Sequence, residues 1–150
     1  MLYASLFDLK QHVPLEKVKA QYLHLLSHLT VTPDVPIDTF RDSLDDIESC
    51  GDIQVAYTAE NGCLFLHGAA TVFYETKLTH GCKKVGHIED LVVLPESRRM
   101  GIARALLFRI RQQAAKECYK VILDCREELV PFYESCSLVR HGSQMSYYFH

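Results

Sequence analysis

The stretch RRMGIARALLFRIRQQ, which begins at Arg98, combines positive charge, small side chains and a helical repeat. Arg98, Arg99 and Arg104 surround Gly101 and Ala103, and apolar residues then recur at helical spacing. The first turn of a helix leaves about four backbone N–H groups unpaired and carries positive potential. Because a glycine lets the main chain approach a ligand closely, the pattern predicts a phosphate-binding helix N-terminus.

Two familiar phosphate-binding motifs do not occur in this sequence. It contains neither the G-x-x-x-x-G-K-[ST] pattern of P-loop proteins nor the G-x-G-x-x-G pattern of dinucleotide-binding folds. The spacing alone also fits a plain amphipathic helix preceded by a glycine. An anion site and a purely structural helix therefore both stay open at this point.

Other residues have side chains suited to work on an amine or a thiol. Asp124 ends the apolar run VILD, where a carboxylate is costly to bury unless it is partnered or functional. Tyr133 lies on a predicted short helix. Glu89 and Asp90 are adjacent on a predicted strand, so they point to opposite faces unless a bulge re-aims the strand. The structural alternatives are a turn residue, a packed aromatic and two solvated charges.

The elements that position these residues fit one domain over residues 1–150, long enough for a substantial core. The predicted order is strand, two helices, three strands, helix, strand, short helix and strand, which is an α+β fold with a mixed central sheet flanked by helices. Asn61-Gly62 predicts a hairpin turn. The predicted strands are YASLFDL, IQVAYTA, CLFLHGAATVFYE, VGHIEDLVVL, YKVILDC and QMSYYF.

Composition excludes several classes of function. The net charge of −3 gives no reason to expect nucleic-acid binding, and no apolar run is long enough to span a bilayer. No secretory signal is recognisable at the N-terminus. Six scattered cysteines without a C-x-x-C pair favour reduced thiols over zinc ligands or disulfides. We therefore expect a cytoplasmic protein without a metal, and interpret His24, His28 and His67 as ordinary structural histidines.

The pattern Arg98-x-x-Gly101-x-Ala103 resembles the [QR]-x-x-G-x-[GA] loop with which GNAT acetyltransferases grip the pyrophosphate of acetyl-CoA. The segments GHIEDLVV, CYKVILDC and FYESC resemble those of the glucosamine-6-phosphate N-acetyltransferase family within GNAT. The resemblance covers roughly residues 65–146 well, and the preceding part matches in layout only. It implies the GNAT acyltransferase fold.

The resemblance also implies a cofactor site and a sugar site. Main-chain groups of Leu91, Val92 and Val93 would hold the pantetheine arm of acetyl-CoA. The pyrophosphate would be held, mainly by backbone N–H groups, at Arg98, Arg99, Met100, Gly101, Ile102, Ala103 and Arg104. The residues implied for glucosamine 6-phosphate are Thr30, Lys77, His80, Glu89, Asp90, Tyr119 and Lys120.

The implied reaction is direct attack of the sugar amine on the thioester in a ternary complex, which yields N-acetylglucosamine 6-phosphate for UDP-GlcNAc synthesis. Asp124 or Glu89 would orient or deprotonate the amine, and Tyr133 would lie near the sulfur. A thiol has a pKa of about 8.5 and a tyrosine of about 10, so proton transfer is uphill and we expect Tyr133 to stabilise the thiolate by hydrogen bonding. No metal is required.

Departures from the family concern the end of the chain. Family members carry an arginine there that reaches the sugar phosphate of the neighbouring subunit, whereas this sequence has Tyr148. Arg140, His141 and His150 are candidates to replace it. The resemblance implies a homodimer with an exchanged C-terminal strand, for which the β-prone MSYYF is suited.

Two other functions stay open from the sequence. The chain could be a GNAT enzyme for another amine, although Lys77, His80 and Lys120 favour an anionic acceptor. It could also be a non-catalytic CoA-binding module, which would have no need for Asp124 and Tyr133.

Overall fold

A five-stranded mixed sheet runs through the computed structural model, which describes residues 1–61 and 63–149. The strands, in the spatial order of the chain, are β1 (Leu2–Ser5), β2 (Gly51–Glu60), β3 (Cys63–Thr76), β4 (Lys84–Val93) and β5 (Cys118–Ile122). The helices are α1 (Leu6–Leu9), α2 (Leu15–Leu26), α3 (Ile37–Cys50), α4 (Ile102–Ala114) and α5 (Val130–Ser135).

Neighbouring strands are antiparallel from β1 to β4, and only the β4–β5 pair is parallel. Parallel neighbours need a crossover connection, and α4 supplies it between these two strands. The crossover begins with the loop that carries the arginines and Gly101. The parallel pairing thus brings the end of β4 and the start of α4 to the same edge of the sheet.

Two apolar clusters cover the two faces of the sheet. Helices α1 to α3 pack on one face, where Leu25 and Ile53 are fully buried. Helices α4 and α5 pack on the other, where Leu106 and Ile110 are fully buried. Successive residues of a strand point to opposite faces, so β2 contributes Val55 to the first cluster and Ala56 to the second. This arrangement confirms the predicted α+β class, with a mixed central sheet flanked by helices.

The element order predicted from the sequence is confirmed from α2 to α5. The predicted first strand, YASLFDL, is wrong in its second half: β1 ends at Ser5, whose hydroxyl accepts from Phe7 N–H at 3.2 Å and caps α1, so three helices instead of two precede β2. Glu60 pairs with Cys63, so β2 and β3 are adjacent antiparallel strands as the hairpin signal predicts. The turn residue Gly62 and the candidate phosphate ligand His150 lie outside the described residues. The extent of a single domain over residues 1–150 stays a prediction.

The predicted last strand, QMSYYF, does not form within the single chain, and a strand exchanged with a second copy stays a prediction. Residues 143–149 form no strand, and Met145 is 94% and Tyr147 81% exposed. A strand needs a neighbouring strand to satisfy its main-chain groups. Local β-propensity therefore did not suffice here.

We expect the buried side chains of α4 to contribute much more to the free energy of unfolding than its exposed side chains. Leu106→Ala empties a site that is 0% exposed and should lower the free energy of unfolding by about 2–5 kcal/mol. Phe108→Ala, on the same helix at a position 59% exposed, is the control and should change it by less than about 1 kcal/mol. Urea unfolding measures both, and equal losses would contradict this packing.

Candidate active site

The parallel pairing between β4 and β5 stops before β4 ends. The last paired residues are His87 and Ile122, whereas β4 continues against β3 alone to Val93. Along this part of β4, alternate N–H and C=O groups point away from β3 toward the place that β5 has left. Such groups need a partner, so this edge is available to a ligand with amide-like hydrogen-bonding groups.

A cleft of about 330 Å³ lies at this opening. Its walls come from β4, from the segment after β5 and from α5, with Gln144 of the C-terminal tail on one side. The lining residues are Leu29, Ile88, Glu89, Asp90, Leu91, Leu123, Asp124, Cys125, Arg126, Leu129, Tyr133 and Gln144. The three predicted catalytic residues therefore line one cleft.

A β-bulge in β4 brings both adjacent carboxylates to this cleft. Thr71 pairs with Glu89 and Ala69 with Val92, so β4 has one extra residue opposite Ala70. Asp90 has φ +51, a conformation that non-glycine residues rarely adopt. In a regular strand, the side chains of adjacent residues point to opposite faces of the sheet. The bulge interrupts this alternation, so Glu89 and Asp90 both line the cleft.

Burial and neighbouring carboxylates raise the proton affinity of Glu89. Desolvation in the cleft, then the charges of Asp124 and Asp90, raise the pKa of Glu89, although His87 acts in the opposite direction. Desolvation also raises the pKa of Asp90. On the opposite side of Asp90 lies Tyr22, whose pKa is raised to about 12 by burial first and by the Asp90 charge in addition.

Tyr133 is held at the cleft by the contacts of α5 with α4. Arg104 donates to the main-chain oxygen of Ser135 at 2.7 Å and to its hydroxyl at 3.0 Å. Arg111 donates to the main-chain oxygen of Cys136 at 2.6 Å. These guanidinium groups cap the carbonyl end of a six-residue helix. Burial first, and then the neighbouring thiols of Cys125 and Cys136, raise the pKa of Tyr133.

The residues from Pro95 to Gly101, here called the anion loop, present open main chain before α4. Gly101 has φ +80 and Arg99 φ +65, and the first bond into the helix runs from Ala105 N–H to the Gly101 oxygen at 3.0 Å. The N–H groups of Ile102 and Ala103 precede that bond and have no carbonyl one helical turn earlier. A Cβ on Gly101 would meet no protein atom within 4 Å, so the space over the loop is open.

The arginines around the loop differ in what they contact. Arg98 donates from Nε to the main-chain oxygen of Val93 at 3.3 Å, whereas Arg99 is exposed. The Arg104 side chain is engaged with Ser135, so its contribution to an anion site would come from its N–H group. Sequence reasoning did not find Arg111, because its partner depends on how α5 packs against α4.

Three residues predicted for the sugar phosphate, His80, Tyr119 and Lys120, form a separate cluster. His80 stacks on Tyr119 with ring centroids 4.1 Å apart, and the Lys120 ammonium lies 5.6 Å from the Tyr119 ring centre. Lys77 is paired with Glu75. Tyr119 precedes Asp124 by five residues, about 16 Å in an extended chain. Within one chain, this cluster therefore lies outside the cleft. Thr30 is exposed and directly follows Leu29, which lines the cleft.

Comparison with known proteins identifies the class to which this fold and site belong. Residues 23–137 match the acetyltransferase (GNAT) family. The chain therefore belongs to the GNAT acetyltransferases, a family that uses acetyl-CoA, and the open β4 edge and anion loop suit such a cofactor.

The relatives are more specific. A rice protein (Oryza sativa subsp. japonica) named probable glucosamine 6-phosphate N-acetyltransferase 2 is 37% identical over 85% of this chain and 80% of its own length. The Trypanosoma brucei brucei glucosamine 6-phosphate N-acetyltransferase is 33% identical over 94% and 96%. The crystal structure of the Arabidopsis thaliana enzyme of that name superposes with a TM-score of 0.83 at 29% identity over 99% and 98%. The resemblance to this family is confirmed.

Other predicted classes of site can be compared with the described residues. Within residues 1–61 and 63–149, no cluster of three or more histidine, cysteine or acidic residues could hold a metal ion. The helices of that same part include none with the length and apolarity to cross a membrane. The absence of a metal from the reaction stays a prediction.

Desolvation, together with the neighbouring carboxylates, should make the charged form of Glu89 unfavourable for stability at neutral pH. A raised pKa in the folded state means that its contribution is favourable at low pH and lost as the pH rises through that pKa. Glu89→Gln should therefore raise Tm by about 1–3 °C at pH 7.5 and by less near pH 4. Glu60→Gln, at the exposed end of β2, is the control. A lower Tm for Glu89→Gln at pH 7.5 would contradict this account of the cleft.

Proposed function

We propose that this chain transfers the acetyl group of acetyl-CoA to the amine of glucosamine 6-phosphate, producing N-acetylglucosamine 6-phosphate for UDP-GlcNAc synthesis. The observation that carries the proposal is that Glu89, Asp124 and Tyr133 line one cleft at the point where β5 leaves β4. Relatives named for this activity at 33–37% identity support the choice of acceptor.

Acetyl-CoA would lie along the free edge of β4 and end at the anion loop. The pantetheine arm contains amide groups, which suit the main-chain groups of Leu91, Val92 and Val93 that face away from β3, although the Val93 oxygen already accepts from Arg98. The pyrophosphate suits the N–H groups between Arg99 and Arg104, because a helix N-terminus favours negative charge. The side chains of Arg98 and Arg99 add positive charge nearby.

The acceptor amine would enter beside the carboxylates. An amine must be deprotonated before it can attack, and Glu89 and Asp124 both line the cleft. The raised pKa of Glu89 suits this carboxylate to accept the proton of the amine. Asp124 would orient the amine and, through its charge, keep the proton affinity of Glu89 high.

The thiolate would leave against Tyr133. A raised pKa keeps this hydroxyl protonated at neutral pH, so it donates a hydrogen bond to the developing thiolate. A C–N bond forms and the C–S bond breaks. The amine proton passes to the carboxylate, and CoA takes up a proton after release. Main-chain N–H groups of β4 would stabilise the oxyanion, and positioning of both substrates supplies much of the rate.

The phosphate of the acceptor needs a cation, and Arg126 is the arginine that lines the cleft. Its side chain is 80% exposed and lies 3.2 Å from Glu128, so it is free to turn toward a stronger anion. We propose Arg126 as the phosphate contact supplied by the same chain. Arg140 is paired with Glu127 beside it.

Lys77 and the cluster of His80, Tyr119 and Lys120 would serve a second copy of the chain. None of these residues lines the cleft, and Tyr119 precedes Asp124 by five residues, about 16 Å if that segment is fully extended. A homodimer that exchanges the C-terminal tail is supported by the free edge of β5 and by the exposed Met145 and Tyr147. All six cysteines are free thiols, which supports the proposed cytoplasmic location.

Acetyl transfer to glucosamine 6-phosphate is tested directly by release of free CoA thiol. We expect rapid release with glucosamine 6-phosphate and at least about tenfold lower kcat/KM with unphosphorylated glucosamine, because a phosphate–arginine contact contributes on the order of 1.4 kcal/mol or more.

Asp124→Asn should lower kcat, and the variant should still bind CoA. Arg126→Gln should raise KM for the phosphorylated sugar only.

Release with neither sugar, in protein that binds CoA, would contradict the proposed acceptor. Equal kcat/KM for the two sugars would contradict phosphate recognition. Unchanged turnover in Asp124→Asn would remove this residue from the mechanism. Glu134→Gln, on the far part of α5 and outside the lining of the cleft, is the matched control for removal of one negative charge.

A further inference from the structure

We propose that His67 is a positioning residue that fixes the anion loop for the pyrophosphate of acetyl-CoA. The inference rests on the proposed cofactor site and adds a residue outside the cleft. The imidazole acts on the loop through Ser97. We assign it no direct contact with the coenzyme.

A β-bulge turns His67 toward the loop. Between β2 and β3, Ala56 pairs with Gly68 and Tyr57 pairs with Leu66, so His67 is the extra residue of β3. A bulge interrupts the alternation of side chains and re-aims the residue at that point. Leu66 remains in the core, 4% exposed, while His67 is directed to a neighbouring segment.

Three hydrogen bonds join His67 to its surroundings. Its Nδ1 lies 2.9 Å from the Ser97 hydroxyl, and its Nε2 lies 2.9 Å from the Thr58 hydroxyl. Its main-chain oxygen accepts from Leu94 N–H at 2.9 Å. A hydroxyl can donate or accept, so both ring nitrogens are satisfied in either neutral tautomer.

Ser97 transmits this restraint to the anion loop. Its side chain is 4% exposed, and its N–H group donates to the Leu94 oxygen at 2.9 Å. Two residues later the chain adopts φ +65 at Arg99, which persists only where the surrounding structure enforces it. Because His67 contacts both Leu94 and Ser97, it holds the two residues from which the rest of the loop is built.

The experiment uses two variants that each keep one of the two side-chain bonds. An asparagine amide overlaps the Nδ1 position of histidine, so His67→Asn can still reach Ser97 but not Thr58. A glutamine amide overlaps the Nε2 position, so His67→Gln can still reach Thr58 but not Ser97. We expect His67→Gln to raise the Kd for coenzyme A by about five- to tenfold, and His67→Asn to raise it by less than about twofold.

A second measurement separates the loop from the rest of the site. S-acetylpantetheine lacks the pyrophosphate, so kcat/KM with this donor should be the same for the His67→Gln variant and the unmodified protein. With acetyl-CoA, KM should rise while kcat at saturation is unchanged. Ser97→Ala removes the same hydrogen bond from the loop side, and the double variant should bind coenzyme A no more weakly than either single variant.

Several results would overturn the inference. These are equal coenzyme A affinities for the Asn and Gln variants, an equal loss with S-acetylpantetheine, or additive effects of His67→Gln and Ser97→Ala. Coenzyme A binding needs no acceptor, so the inference can hold even where acetyl transfer to the sugar phosphate fails. Failure of the unmodified protein to bind coenzyme A would overturn both the cofactor site and the role of His67.

Discussion

The end of hydrogen bonding between β4 and β5 is the constraint on which the site depends. From Lys84 to His87, β4 forms main-chain hydrogen bonds with β5. After His87, the edge of β4 that faces away from β3 has no strand beside it. An unpaired edge inside a folded protein requires water or a ligand with matching donors and acceptors. The same separation opens the cleft, aims the segment after β5 at the carboxylates of β4, and leaves room for α5 to bring in Tyr133.

The site also keeps groups in unfavourable states that the surrounding packing enforces. Asp90 and Arg99 adopt left-handed backbone conformations, and three carboxylates share one cleft. Strain and like-charge repulsion of this kind reduce stability, and they persist only where a well-packed scaffold compensates. Helix α4 provides that scaffold, since its buried face packs against the sheet, its first turn follows the anion loop, and its Arg104 and Arg111 side chains hold α5.

Features that depend on local sequence could be predicted, whereas those that depend on pairing could not. The arginines and Gly101 identify the anion loop, because glycine and charge act within a few residues. The bulges at His67 and Asp90 arise from the register between strands, which no single segment encodes. The same reason explains why QMSYYF forms no strand within the single chain, where β-propensity is high but the segment pairs with no strand. It also explains why Lys77 and Tyr119 lie away from the cleft.

Hydrogen–deuterium exchange with and without coenzyme A tests the central claim most directly. If the free edge of β4 and the anion loop hold the cofactor, exchange should slow at the amides of residues 88–93 and 99–104, while β1 and α3 remain unchanged. Slowed exchange confined to other segments, in protein saturated with coenzyme A, would contradict the account of how this fold builds its site.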